Sequence, residues 1–426
     1  MVIQMRHLTI QENHPVPITS GSDAGGVSLT REEASQLEVY IEENHLNRDF
    51  IVWGNRSIRL INYVGFIQCP YFSMEILPKL SLDEDTLRSR HTLLMMLDEV
   101  YQFNITATAS SRLSAQPYSL FHIFAKMYAE ELLFEFKRGI HGQYRTTERN
   151  GHYVKGKVNI QKHVKHNMLK KRPHRVYCSF AEHSHNNVIN QLFLATNRLL
   201  QKHVKQGDVL SQLHQLNQQL FDVDQVKFTP DMLQNVIIDR NLSRYQTAIH
   251  LAILFQKQLT GGLMIGRNEA FSLLFDMSDL YEQYTATLFQ RYLPVDISVQ
   301  DNTHALFNRN GRPAARILPD IVIKQPDNTV IIIDTKWKAY HSGRGIEERD
   351  LVQMYKYLNT YPNCQCVYVL YPQAGTSAVL SNNVYTLRND RNKKVIAKTI
   401  PLTDKQTSIQ FLEQMTLQEH STKFGE

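Results

Sequence analysis

The chain has 426 residues, 42% of them hydrophobic and 21% charged, with a formal net charge of +6. That length predicts two or three domains, each large enough for its own core, and the composition excludes a disordered or fibrous protein. No run approaches the ~18 apolar residues of a membrane span, so no membrane partner is expected. Cys69, Cys178, Cys364 and Cys366 lack paired CxxC spacing, which supports neither a zinc module nor a disulfide framework. The start, MVIQMRHLTIQENH, has none of the regions of a signal peptide, so a cytoplasmic protein with reduced thiols is expected.

Residues 19–26 (TSGSDAGG) read as a linker or loop. Residues 31–44 are polar, with Leu37, Tyr40 and Ile41 at helical spacing. Short strands are predicted at 50–53, 58–66 and 73–77, making a small sheet or barrel, and helices at 93–101 and 120–136. Residues 138–158 read as loop and hairpin, with Asn150-Gly151 as the turn. Gly151 to Lys157 (GHYVKGK) fits a phosphate-binding loop until position 158, where Val replaces the Ser or Thr that would hold Mg²⁺. No nucleotide hydrolysis by this chain alone is expected.

Residues 155–175 carry eight Lys and Arg, three His and no acid. Such a block can neutralise DNA phosphates, meet an acidic protein, or form a solvated face. Residues 187–221 and 231–259 are helical and rich in Gln and Asn, and the chain shows no repeat. A helix over 278–293 follows, with Ser278 as a possible N-cap and Glu282 on a stripe with Ala286, Phe289 and Leu293.

The clearest chemistry lies in LPDIVI (318–323) and IIIDTK (331–336), joined by the turn-forming QPDN (325–328). Strand alternation puts Asp334 and Lys336 on one face. A four-residue loop sets Asp320 opposite Ile333, and a five-residue loop sets it opposite Asp334. Either register brings two carboxylates and an ammonium together, which is a divalent-metal site with a lysine aimed at it. Hard oxygen ligands suit Mg²⁺, and phosphodiester hydrolysis needs an activated water and neutralised phosphate charge. Lys336 can serve as base or as electrostatic clamp. The plainer alternative is an exposed strand with a surface ion pair, against which three consecutive isoleucines argue burial.

Residues 349–361 form a further helix with Leu351, Met354, Tyr355 and Leu358 as the seam expected to face the sheet. Gln353 and Tyr357 share its flank, either reaching substrate or packing. Residues 364–371 follow as a buried strand. The expected fold class is α+β and multidomain: a β-rich N-terminal domain (1–175), a helical connector (176–265) and a C-terminal α/β domain (266–426).

Pro319-Asp320 followed by Asp334-Thr335-Lys336 resembles the PD-(D/E)xK nuclease superfamily, with Asp where Glu is commoner. The resemblance implies a restriction-endonuclease-like fold, Asp320, Asp334 and the Thr335 carbonyl as Mg²⁺ ligands, and Lys336 as the catalytic lysine. It also offers Glu282 as a helix carboxylate near the metal, the alternative being a solvated glutamate at the edge of its stripe. Gln353 completes the candidate catalytic set.

Further segments resemble the McrC family, the nuclease subunits of McrBC-type restriction systems. They are Val64-Gly65-Phe66-Ile67, Met74 to Leu80 (MEILPKL), Arg138-Gly139-Ile140 with Tyr144, Lys155-Gly156-Lys157-Val158, and Asn186-Asn187 with Asn190. The resemblance implies a type IV system in phage defence that cuts methylated double-stranded DNA. It implies docking through the N-terminal part on an McrB-like AAA+ GTPase hexamer, whose GTP hydrolysis the chain would stimulate. Two other classes stay open: a non-catalytic adaptor of an AAA+ ring, and a stand-alone repair or recombination nuclease. Glu75 to Lys79 reads as an exposed strand end, and Asn187 and Asn190 as helix caps or packing groups.

Overall fold

The computed structural model describes residues 6–20, 27–43, 50–69, 71–79, 86–103, 120–204, 207–259, 271–340, 343–373 and 383–421. Residues 21–26, most of the expected linker, and Leu80 lie outside them. Mixed α/β architecture holds throughout, with five sheets and eleven α-helices among the described residues. The chain divides into two compact units, one formed by 1–121 with 262–426 and the other by 122–261.

The first unit opens with β1 (Arg6–Gln11), β2 (Pro15–Thr19) and β3 (Leu29–Thr30), then the helix Arg31–Glu43. Leu37, Tyr40 and Ile41 are buried along that helix as their spacing predicts. Next come β4 (Ile51–Trp53), β5 (Ser57–Leu60), β6 (Tyr63–Gln68) and β7 (Phe72–Leu77). The single strand expected over 58–66 is broken at Asn62, whose positive φ turns the chain between β5 and β6. The two pieces enter different sheets: β3-β2-β5-β4, and β1-β7-β6 with a fourth strand from far along the sequence, β11 (Phe271–Asp276).

Gly65 explains how close that last pairing is. It sits in β6 opposite Leu274, and a Cβ there would lie 2.0 Å from the Leu273 carbonyl. Its φ of +131° also disfavours an L side chain.

β7 is buried along its whole length, which corrects the expectation of an exposed strand end at Glu75. The Glu75 carboxylate has no solvent exposure; it pairs with Arg90 Nη2 at 2.5 Å and accepts from the Leu120 amide at 3.1 Å. A strand buried on both faces tolerates this charge only because the pair is complete. A second ionic knot, on Glu99 of the helix Thr86–Tyr101, takes Arg291 at 2.9 Å and Lys405 at 3.1 Å, tying that helix to Met277–Tyr292 and Lys405–Ser421.

The second unit contains β8 (Gln143–Gly151), β9 (Lys157–Val158) and β10 (Val176–Ser184) in the order β8-β10-β9. The helices Leu120–Lys137, Val188–His203, Gly207–Gln219 and Gln246–Leu259 are its longer ones. The hairpin expected to turn at Asn150-Gly151 does not form: these residues pair with Tyr177 and Val176 at the end of β8. Asn187 does cap a helix, accepting from the Asn190 amide, while Asn190 Nδ2 donates to the His141 and His185 carbonyls.

The rest of the first unit is a six-stranded sheet in the order β12-β15-β16-β17-β19-β18. Its strands are β12 (Asp296–Val299), β15 (Ile321–Lys324), β16 (Val330–Thr335), β17 (Cys364–Pro372), β18 (Asn383–Thr386) and β19 (Lys394–Ile400); β13 (Ala305–Arg309) and β14 (Arg312–Arg316) form a separate hairpin. β16, β17 and β19 run parallel, and β16 and β17 are almost wholly buried, as expected for parallel strands covered on both faces. Val322, Ile332, Val367 and Val369 pack with Met354, Tyr357 and Leu358 of the helix Glu348–Thr360.

Replacing Glu75 by Ala leaves the Arg90 guanidinium buried and unpaired, so urea unfolding should show a loss of about 3–5 kcal/mol. Replacing both partners by apolar residues of similar volume should restore much of that loss.

Candidate active site

The hairpin β15–β16 sets Ile321 opposite Ile333 and Lys324 opposite Val330, with five residues in the loop. Continued one residue outward, this register puts Asp320 opposite Asp334. The isoleucine and valine run buries the hairpin, and its open end delivers both acids to one rim.

Asp334 is fully buried. Its Oδ1 accepts from Gln353 Nε2 at 3.0 Å and lies 3.2 Å from the Tyr357 hydroxyl. Its Oδ2 accepts no hydrogen bond of proper geometry and meets only the Lys336 ammonium as an ion pair. Asp320 Oδ2 accepts from the Thr335 amide at 2.6 Å and from the Thr335 hydroxyl at 2.7 Å. Thr335 thus engages the site through its amide and hydroxyl. Gln353 is the bridge: its Nε2 binds Asp334 and the Tyr357 hydroxyl, and its Oε1 accepts from Lys336 Nζ at 3.3 Å.

Burial raises the Asp334 pKa, and the neighbouring Asp320 carboxylate raises it further; Lys336 and Tyr357 pull the other way. Burial also raises Asp320, against the two Thr335 hydrogen bonds. For Lys336 burial disfavours the charge, but the Asp334 and Asp320 carboxylates outweigh it and raise the pKa. The lysine is therefore an ammonium here, and the acids compete for protons.

Glu282 is half-buried on the helix Met277–Tyr292 and accepts from Gln300 Nε2 at 2.9 Å. Burial raises its pKa, followed by repulsion from Asp320, while Lys336 lowers it. These couplings put it in the same electrostatic neighbourhood as the hairpin residues. The helix is capped by Asp276, whose carboxylate accepts from the Ser278 and Asp279 amides, and so not by Ser278.

The helix Glu348–Thr360 buries a seam rotated from the expected one. Asp350, Met354, Tyr357 and Leu358 are buried, whereas Tyr355 is 50% exposed. The rotation brings Gln353 and Tyr357 onto Asp334. Tyr357 belongs to the site through a hydroxyl that also reaches the Leu318 carbonyl at 3.2 Å; its position one turn from Gln353 was the sequence signal for it. Two further contacts brace the strand exit: Trp337 Nε1 donates to Glu12 Oε1 at 2.8 Å, and Lys338 Nζ pairs with Asp350 at 2.6 Å.

No group of three or more His, Cys, Asp or Glu side chains placed for a metal occurs among the described residues. The candidate set is instead two carboxylates with a backbone carbonyl. The underused Asp334 Oδ2, and two acids raised by each other and by burial, fit a divalent cation at the position now held by the ammonium.

Among curated proteins none matches the chain. Among solved structures it is similar to a chain of the Thermococcus gammatolerans assembly described as a refined half-complex of McrB AAA+ hexamers with bound McrC. The TM-score is 0.72 at 17% identity, covering 96% of this chain and 100% of that one. It also matches a chain of the cryo-EM structure of the Thermococcus gammatolerans McrBC complex, with a TM-score of 0.52 at 19% identity over 67% and 87% of the two chains. At such identities the likeness is one of fold. No helix of the described residues is long and apolar enough to cross a membrane. Residues 58–372 match the family described as McrBC 5-methylcytosine restriction system component, and the chain belongs to that family.

Proposed function

We propose that this chain is the nuclease subunit of a modification-dependent restriction complex, with a PD-(D/E)xK domain over 266–426 that cuts double-stranded DNA with Mg²⁺. Docked on an McrB-like AAA+ GTPase hexamer, it would stimulate GTP hydrolysis and cut there. The observation that carries the reading is the convergence of Asp320, Asp334 and Lys336 at the end of one buried hairpin. The family match and the likeness to a chain of an assembly titled as McrB hexamers with bound McrC support the partner.

In this reading Asp320, Asp334 and the Thr335 carbonyl hold Mg²⁺, which would acidify the attacking water and offset phosphate charge. The chain's own residues do the rest. Asp320 is oriented by the Thr335 amide and hydroxyl, and Asp334 by Gln353 and Tyr357. Lys336, charged and held by Gln353, stabilises charge developing on the phosphoryl group, so the clamp role is favoured over the base. Glu282 stands by as a further carboxylate whose raised pKa suits proton exchange with water.

Asp320→Ala and Lys336→Ala should each lower cleavage of methylated DNA by ~100-fold or more, with binding to the AAA+ partner retained. Full cutting by either variant rejects the site. Stimulated GTP hydrolysis with no cleavage by the unaltered chain under any divalent metal would establish the adaptor instead. Gln353→Ala and Tyr357→Phe act through Asp334 and should cost about 10–100-fold in metal affinity or activity.

The raised carboxylates also set a pH dependence. The native chain holds protons on Asp334 and Asp320 that the unfolded chain has already released near their ordinary value of 3.8. Their contribution is therefore complete below that value and lost as pH rises towards neutrality. Melting temperature in EDTA should fall across that window, and Asp334→Asn should flatten the fall. Adding Mg²⁺ at pH 8 should raise it for the unaltered chain and leave the Asn variant unchanged.

A further inference from the structure

The chain's positive charge is not spread evenly. Residues 138–185 contain eleven Lys and Arg but only Glu148 and Glu182 as acids, a surplus larger than the net +6 of the whole chain, so the remaining residues are net acidic. All this cationic sequence lies in the second compact unit, whereas the candidate catalytic residues all belong to the first.

The fold displays this charge. β8 has no buried position along nine residues, and β10 offers only Cys178 and Phe180 as buried ones. Lys155, Lys157, Lys162, Lys165, Lys170, Lys171 and Arg172 are all exposed. Two of them are spoken for, Lys162 by Glu148 and Lys155 by Glu182 at 3.7 Å.

Between β8, β10 and the segment joining β8 to β9 lies a cavity of about 270 Å³. Arg149, Arg175, Lys155, His152 and Tyr153 line it, with Phe180 on its floor. Gly156 makes this possible. Its φ of +70° and its approach to the Ser179 carbonyl, 2.6 Å from where a Cβ would stand, fold the 152–156 segment back over β10. Arg149 and Arg175 carry no ion pair among the described residues, and His174 stacks on His152 with centroids 5.8 Å apart.

Unpaired guanidiniums in a cavity of this size fit a phosphate group with its adjoining sugar, bound bidentately. The single-sign charge continuing past the cavity along an exposed ribbon fits a polyanion rather than a free nucleotide. A two-stranded ribbon is also a shape that the DNA major groove admits.

We propose that the basic sheet of the second unit is a phosphate-binding surface for double-stranded DNA, with the Arg149–Arg175 cavity seating one phosphate, distinct from the candidate catalytic centre. The surface binds without a divalent metal and without regard to sequence, and it stands whether or not the acidic site cuts.

The test uses the full chain carrying Asp334→Asn, in EDTA, with a short unmodified duplex followed by fluorescence anisotropy across a salt series. Arg149→Glu with Arg175→Glu should weaken binding at least ~10-fold and reduce the slope of log K against log salt by about 2, since each phosphate contact contributes about 0.9. Arg149→Lys with Arg175→Lys should keep most of the slope. Lys165→Glu with Lys170→Glu, on exposed positions outside the cavity, guards against misfolding and should lower the slope similarly at an unchanged melting temperature. Unaltered affinity and slope in both charge-reversed variants overturns the proposal. So does a variant that binds DNA normally but no longer associates with the AAA+ partner, which would make this face a protein surface. Cleavage plays no part in the readout, so failure here and failure of the nuclease reading are separate results.

Discussion

A buried carboxylate governs this structure. Asp334 sits at the end of a strand of isoleucines, where an isolated anion would cost several kcal/mol. It is tolerated because Lys336 supplies the opposite charge, while Gln353 and Tyr357 satisfy the other oxygen. Removing any one of these leaves the rest mismatched: without the acid, the lysine is a half-buried cation and the glutamine loses a partner. The helix Glu348–Thr360 is therefore oriented by polar contacts as much as by its apolar seam, and this is why that seam is rotated towards Tyr357.

The same first unit anchors the exit of the strand to the N-terminal sheet. Trp337, next to Lys336, packs on Tyr281 and donates to Glu12 at the end of β1. Glu12 is itself buried and held above the ordinary carboxylate range, chiefly by burial. With β11 pairing to β6, this gives the site two mechanical ties to sequence more than 200 residues away. A partner docking on the N-terminal sheet would thus have a physical path to Lys336 through covalent neighbours and one hydrogen bond, without any long-range field.

What was legible in the sequence follows from which interactions are local. The hairpin, its acids and its lysine were readable because alternation and loop length fix the faces, and the five-residue loop resolved the register. Helix positions such as Leu37, Tyr40 and Ile41 were readable from spacing. The β6–β11 pairing was not, because nothing in either strand names the other. Asn-Gly shows the limit well. At Asn310-Gly311 both residues have positive φ and close the β13–β14 hairpin, whereas Asn150-Gly151 is straightened into a ladder with β10. Local turn preference is worth little against a run of strand hydrogen bonds. Glu75 likewise looked like a surface residue because its partner, Arg90, lies on another element.

Charge placement joins the two units into one electrostatic argument. On the nuclease reading, the metal-free centre gathers the carboxylates Asp320, Asp334 and Glu282 around a single ammonium, so it repels a phosphate backbone. A polyanion approaches such a centre only after a divalent ion has offset that charge. The basic sheet carries the opposite sign and needs no metal to attract the same ligand. Within one chain, attraction and chemistry are then controlled by different ions: salt concentration screens the first, and magnesium concentration and pH govern the second. A protein arranged this way holds DNA under conditions in which it does not cut, which leaves the commitment to cleavage to whatever completes the acidic site.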